Sequence, residues 1–363
     1  MLPAQRGEKN MVKLISNAEA EQVLTMKDTL ELMEEAFKEL AMGRAVAPPR
    51  THTYMPSPTP NLSYRHKSII GGVEKFGVFA ERVTSHMVGF PEVGGLKRQV
   101  KLAPTPGHRY PDFILLFSLT TGELLAIIQS GVLQKMRVGA TSGVGTKYLA
   151  REDAKVAGIF GSGWQAATQL QALCAVRPIQ QIKVFSPNPG HRKEFAQEMG
   201  KDLNVEAIPV DHPKNAVEGC GIVITATNSN DPVFDGRWLE SGVHINTIVN
   251  NDERNQRSEL DSVAYQRANL IIVNSREQMV RVKQNDVLDL ASKGKRVGDL
   301  GDLLIGKIQG RTSPDEITLF KNNVGVGIQF AAVGARIYEL AKEAKLGRDL
   351  PDEWFHQQIP HRN

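Results

Sequence analysis

The sequence predicts an α/β protein, a Rossmann-type doubly wound sheet with a discontinuous α+β domain beside it. Two observations carry that prediction. The stretch "GIFGSGWQA", Gly158 to Ala166, follows an apolar run and opens an apolar-periodic segment, which is the GxGxxA form of a dinucleotide loop. Six short β-branched runs, the first of them entering this loop, are separated by helical or loop segments, as in a parallel sheet with crossover helices. The loop lies near the middle of 363 residues, so the N-terminal part needs an account of its own.

Taken from the N-terminus, "TMKDTLELMEEAFKELAMG" places Leu30, Met33, Phe37 and Leu40 on one helical face and stops on Gly43. The Pro- and Ser-rich "RAVAPPRTHTYMPSPTPNLSYRH" reads as loop and edge structure. Alternating runs in "FGVFAERVTS" and "DFILLFSLTTGELLAII" predict strands, the latter two joined at "TTG". Between them, residues 90–111 combine Gly, Pro and five Lys, Arg or His side chains, a loop long enough to be functional or disordered.

From "AKVAGIFG" the chain enters the helix "WQAATQLQALCAV", with Ala166, Ala167, Leu170 and Leu173 on one face. "QIKVFSP", "VEAIPVD", "GIVITATN", "GVHINTIV" and "ANLIIVNS" complete the six runs. A last helix with Phe330, Val333, Ile337 and Leu340 on one face then has no place in a sheet already closed, and is expected to return to the first domain. Residues 11–145 with 325–363 would form the substrate-binding and dimerisation domain, 146–324 the dinucleotide domain, and the active site the cleft between them.

Composition narrows the partners. With 41% hydrophobic and 23% charged residues the chain reads as an ordinary globular protein, long enough for about two domains. A surplus of four positive charges is spread without a basic tract, so no nucleic acid is expected. Cys174 and Cys220 lie far apart without metal-ligand spacing, which predicts buried thiols in a reducing compartment and no metal. The N-terminal "MLPAQRGEKN" has no apolar signal core and no run is long enough to span a bilayer, so a cytoplasmic protein without a membrane partner is expected.

The loop assigns chemistry residue by residue. Gly161 allows the tight turn, Gly163 lets the backbone approach a pyrophosphate, and Ala166 permits close helix packing, with the phosphates at the positive end of the helix. The alternative is a turn that only lets strand and helix pack. At the end of the second strand Ser186 stands where NAD enzymes place an acid, and Asn188, His191, Arg192 and Lys193 follow. No carboxylate there repels a 2′-phosphate, so NADP(H) is favoured with NAD(H) possible; the same residues would also suit a solvated helical turn.

"APPRTH", "SGVLQKMRVGATSGVGTKYLA", "GIFGSGWQA", "GVHINTIV" with "RSELD" after it, and "EITLFKNNVGVG" occur in an order and spacing that resemble the ornithine cyclodeaminase and mu-crystallin family, from about Leu14 to Leu346. The resemblance implies a homodimer whose N-terminal sheets join, a Rossmann domain for NAD(H) or NADP(H), and chemistry at the α-carbon of an amino or imino acid. It places Arg50 and Arg137 where the family holds a substrate carboxylate. Arg82 falls where many members carry lysine; an arginine stays charged and offers a planar fork suited to a carboxylate. Three arginines in one pocket suggest a small anionic amino or imino acid, and leave room for more than one acidic group. Asp252, in "IVNNDERNQRSELD", is the candidate for an aspartate that cyclodeaminases carry after the fifth strand, although the segment is longer here and a solvated loop residue is the alternative. Phe330 stands where members often have Asp.

The expected cofactor-binding set is Thr141, Gly161, Ser162, Gly163, Trp164, Gln165, Ser186, Asn188, Arg192, Thr225, Ala226, Thr227, Val249 and Gly325. Arg82 and Asp252 are the catalytic candidates, and Asp252, His86 or water the options for a proton donor. The function expected is an NAD(P)H-dependent oxidoreductase of imino or amino acids. A cyclodeaminase using bound NAD and a non-catalytic NADPH-dependent binder of small ligands are the alternatives. Three buried cations favour chemistry on an anion over binding of an apolar ligand.

Overall fold

The computed structural model describes residues 11–93, 96–97, 100–104, 107, 110–249, 257–322 and 324–358. One mixed sheet runs in the order Arg348–Pro351, Met11–Ile15, Leu124–Gln129, Asp112–Ser118, Val78–Gly89, Leu62–Val73 and Ala45–Val46, with Thr51–Pro56 and Val100–Leu102 paired at its margin. The segment expected to be loop and edge ends in a long strand, Leu62–Val73, paired along its length with Val78–Gly89. Its signal was hidden because one face carries Arg65 and Lys67 at one end and Ile69 and Val73 at the other. No apolar alternation runs its whole length.

That face changes character along the strands. Ile69, Val73, Ala80, Ile114, Leu116 and Ile128 are buried under the helix Gly327–Glu343, which contributes Phe330, Val333 and Ile337 to the same core. Helix and sheet touch at backbone level where the helix begins: a Cβ on Gly71 would lie 2.7 Å from Gly327 Cα. The C-terminal segment Arg348–Pro351 then adds the outer strand beside Met11–Ile15.

The other sheet is parallel throughout, in the order Glu206–Pro209, Gln181–Phe185, Val156–Phe160, Ile222–Thr225, His244–Thr247, Thr318–Lys321, Leu270–Val273 and Arg296–Asp299. The expectation of six strands is corrected to eight among the described residues. Thr318–Lys321 inserts between the fifth and sixth expected strands, and Arg296–Asp299 forms the edge. Both are short and polar at their ends, so neither shows a β-branched run. Lys321 is tolerated in the sheet interior because its Nζ donates to Tyr265 Oη at 2.7 Å.

The helix Ser130–Leu149 lies between the sheets and leads directly into the second one. Its glycines let it sit close to the helix Trp164–Val176: a Cβ on Gly139 would come within 2.4 Å of Thr168 O. Asn246 Nδ2 donates to Thr146 Oγ1 and Asn322 Nδ2 to Val138 O, at 2.7 and 2.9 Å, which fixes this helix against the parallel sheet. Arg137 is carried on it.

Among the described residues no helix is long and apolar enough to cross a membrane, and no group of three His, Cys, Asp or Glu is placed to hold a metal ion. Cys174 and Cys220 are free thiols.

Candidate functional site

The strand Val156–Phe160 ends in the glycine loop. Gly161 has a φ of +112°, and a Cβ there would lie 2.3 Å from Ala226 O, so the turn requires glycine. At Gly163 a Cβ would meet nothing within 4 Å; this is the open side of the loop. No side chain caps the helix Trp164–Val176, whose N-cap is Gly163, so its first amides face the opening.

That opening is a cleft of about 540 Å³. Of the expected cofactor set, Gly161, Ser162, Gly163, Trp164, Gln165, Ser186, Ala226, Thr227, Val249 and Gly325 line it. The lining fits a dinucleotide in chemistry as well as shape. It contains Arg137, His191 and Arg257 and no carboxylate among the described residues, and Gln165 Oε1 is buried there without a hydrogen-bond partner.

Four expected residues stand behind the wall. Thr141 is buried, donating to Arg137 O at 2.7 Å and accepting from Gln329 Nε2 at 2.7 Å. Asn188 caps the helix Pro189–Leu203 by accepting from His191 N at 3.1 Å. Arg192 does not open into the cleft: it donates to Ser186 O at 3.0 Å and pairs with Asp211. Thr225 Oγ1 donates to Glu259 at 2.9 Å. Asp252 lies outside the described residues.

Glu259 was not expected to matter, although it sits in "RSELD". Fully buried, its carboxylate accepts from Thr225 Oγ1, Thr247 Oγ1, Thr227 N, Thr227 Oγ1 and Val249 N at 2.6 to 3.2 Å. It therefore ties two strand ends to two residues of the cleft wall. A glutamate in a stretch as polar as "NDERNQRSELD" reads as surface, and only the fold reveals the five donors that converge on it.

The arginines adjoin the cleft at Arg137. Its Nη1 donates to Gln329 Oε1 at 2.9 Å, its Nε to Gln134 Oε1 at 3.3 Å, and its guanidinium lies 5.2 Å from the centre of the Phe330 ring. Arg82 lies 5.5 Å from the same ring, so Phe330 supports two guanidinium groups with its π face. Arg82 also donates to Ser130 Oγ at 3.2 Å and to Asp112 Oδ2 at 3.3 Å. Arg50 is buried as well, its backbone N–H held by Gln278 Oε1 at 2.8 Å.

Electrostatics follow from burial and like charge. Burial first, then Arg82 and Arg50, push Arg137 well below the ordinary arginine value. Burial lowers Arg82 to about 10, with Asp112 opposing and Arg65 adding to the shift. Asp112 continues the chain of contacts: its Oδ1 lies 2.7 Å from His86 Nε2, and His86 Nδ1 lies 3.4 Å from Arg65 Nη2. Burial would raise the Asp112 carboxyl, but His86, Arg82 and Lys101 outweigh it and hold it below the usual range. Burial likewise keeps His86 lowered despite Asp112.

A parallel sheet with a glycine loop at the end of a central strand, beside a buried group of arginines, defines a dinucleotide-binding protein. The chain belongs to the ornithine cyclodeaminase/mu-crystallin family, whose model matches residues 82–345. Among solved structures it is similar to the Delta(1)-pyrroline-2-carboxylate reductase of Thermococcus litoralis in complex with NADH and L-proline, at 31% identity and a TM-score of 0.79, covering 93% of this chain and 100% of that one. An archaeal alanine dehydrogenase dimer with bound NAD matches at 26% identity and a TM-score of 0.78 over 94% of this chain and 99% of its own. Among curated proteins, a Delta(1)-pyrroline-2-carboxylate reductase of Bacillus cereus is 29% identical, covering 93% of this chain and 99% of its own length. The fold class and the family expected from the sequence are both borne out.

Proposed function

We propose that this protein is an NAD(P)H-dependent oxidoreductase that reduces the C=N bond of a small α-imino acid, or oxidises the corresponding amino acid. One observation carries the reading: Arg137 is both a wall of the dinucleotide cleft and a member of the buried arginine group. A carboxylate held there has its α-carbon at the mouth of the cleft. Bound nicotinamide dinucleotide supplies or accepts the hydride. Arg137 and Arg50 hold the substrate carboxylate, and Arg82, fixed by Ser130, Asp112 and Phe330, orients the group next to it. Positioning of this kind supplies most of the rate that a hydride transfer needs from the protein. Arg82 keeps its proton, so it acts on the substrate as a fixed cation and not as the proton donor to the imine nitrogen. The activities for which the relatives are named, imine reduction and amino acid dehydrogenation, support this reading.

Turnover is tested by mixing 2-oxo acids with ammonia, and cyclic imino acids alone, with NADPH or NADH, and following loss of reduced-cofactor absorbance. Consumption of cofactor with an imino acid is the expected result. Binding of NADPH without turnover of any of them replaces the reading with a non-catalytic binder. Ammonia release from ornithine without net cofactor consumption marks a cyclodeaminase.

We further propose NADP(H) over NAD(H), because the cleft end at Ser186 has His191 in its lining and Arg192 directly behind it. The assembly we propose is a homodimer. On the face of the first sheet turned away from the C-terminal helix, Val83, Phe113, Leu115, Phe117, Phe79 and Ile127 stay partly exposed and surround Glu81, the cross-strand partner of Leu115, in a largely apolar patch. The two free thiols fit the reducing cytoplasm.

A further inference from the structure

Arg137 and Arg50 are both tied to one wall of the dinucleotide cleft by buried neutral amides. That wall begins where two parallel strands end side by side: Val273 pairs with Lys321, so Asn274 and Asn322, the next residue on each, stand together. Asn274 Nδ2 donates to Asn322 Oδ1 at 2.6 Å and to Val324 O at 2.7 Å. Asn322 and Val324 line the cleft. From there the contacts run two ways. Asn322 Nδ2 donates to Val138 O and to Ser142 Oγ, each at 2.9 Å, on the helix that carries Arg137. One turn beyond Asn274, Gln278 Oε1 accepts the backbone N–H of Arg50 at 2.8 Å, and Ser275 steadies that turn by accepting from Gln278 N at 3.2 Å.

Asn274, Gln278 and Asn322 are all buried, and Asn274 and Gln278 lie behind the cleft wall rather than on it. Neutral amides suit this place, because they hold the backbone around each arginine without neutralising the charge that a carboxylate ligand needs. Asn274 Oδ1 and Gln278 Nε2 are buried without a hydrogen-bond partner among the described residues, so the turn between them is short of full satisfaction and is not locked in place. A dinucleotide that orders Asn322 and Val324 therefore also orders this turn and, through it, Arg50. The carboxylate that follows has less ordering left to do.

We infer that Asn274 and Gln278 are positioning residues that link the two ligands: dinucleotide bound against Asn322 and Val324 raises the affinity for a substrate carboxylate by setting Arg50 and the helix of Arg137. Such a link is reciprocal, so the carboxylate raises dinucleotide affinity by the same factor. This rests on the imino-acid reading above and adds to it a dependence of substrate binding on cofactor. The test is calorimetric binding of propionate with and without saturating NADPH, which needs no turnover. In the wild type NADPH tightens propionate binding about tenfold. Gln278→Met, which keeps the volume and removes the acceptor, lowers that factor to about threefold or less, and Asn274→Ala does the same. A residue that only supports the fold would weaken propionate binding equally in both states and leave the factor unchanged. Equal propionate binding with and without NADPH in the wild type overturns the inference, as does a factor unchanged in either folded variant. The expected factors without turnover of any imino acid would defeat the reductase reading and leave the link standing; turnover with an unchanged factor does the reverse.

Discussion

Arg137 Nη1 donates to Gln329 Oε1 at 2.9 Å, and that same oxygen accepts the backbone N–H of Val326 at 3.0 Å. Gln329 Nε2 donates to Thr141 Oγ1 at 2.7 Å, so the amide is oriented from three sides. The start of the C-terminal helix thus fixes the angle at which Arg137 meets the cleft. Replacing Gln329 with Met keeps the volume and removes that fixing. The expected outcome is a KM for the imino acid raised about tenfold, a loss on the order of 1.4 kcal/mol, with cofactor affinity retained. Steady-state kinetics beside a cofactor titration check it.

Glu259 makes a second testable point, since five donors converge on a carboxylate with no solvent contact. Glu259→Gln presents an NH2 group where donors already point. The substitution should lower stability by on the order of 3 kcal/mol, because the displaced N–H and O–H groups stay buried without acceptors. Dinucleotide affinity should fall with it, as Thr227 and Val249 line the cleft. Denaturant unfolding with and without NADPH measures both effects; a neutral substitution contradicts the role.

Cofactor choice turns on a weak ion pair. Asp211, the partner of Arg192, is almost fully exposed, and a pair with one exposed member contributes little, so Arg192 is free to exchange Asp211 for a phosphate at small cost. NADPH should bind more tightly than NADH, and Arg192→Ala should remove about 1.5–3 kcal/mol of that difference, the scale of a lost charge-assisted contact. Asp211→Asn, which removes the competitor, should widen it. Dissociation constants for both dinucleotides decide the matter, and a preference for NADH in the wild type contradicts it.

The fold itself should be acid-sensitive through His244. Burial, and after it Arg311 and Arg177, lower this ring from 6.5 to about 3. A base whose folded pKa is depressed binds its proton first in the unfolded chain, so stability is full above about 6.5 and declines as pH falls toward 3. The slope from this group is on the order of 1 kcal/mol per pH unit. Urea midpoints at pH values on either side of 6.5 measure it, and His244→Gln should flatten the dependence.

How much of this was legible in the sequence depends on which interactions are local. The glycine loop was, because Gly161 and Gly163 answer to backbone demands of their own turn. So was the amphipathic helix that carries Met33 and Phe37 into the core. The strand Leu62–Val73 was not, since the tertiary role of Arg65 and Lys67 breaks the apolar alternation that reveals a strand. Thr318–Lys321 escaped for a related reason: Lys321 is buried beside Tyr265, far away in sequence. At the site, ten of the cofactor candidates lie on the cleft wall, whereas Thr141, Asn188, Arg192 and Thr225 are turned to partners that sequence spacing does not disclose. Glu259 and Gln329 act only through contacts made by folding.

The central claim is that Arg137 joins the substrate carboxylate to the dinucleotide cleft. Its most direct test is Arg137→Lys, assayed for imino acid reduction and for NADPH binding on the same preparation. Lysine keeps the charge but lacks the planar fork and the stacking on Phe330, so a carboxylate is held loosely and its α-carbon is misplaced. The account predicts a raised KM together with a lowered kcat, while the dissociation constant for NADPH changes little. Weakened NADPH binding with intact substrate kinetics would contradict it, and would assign Arg137 to the dinucleotide alone.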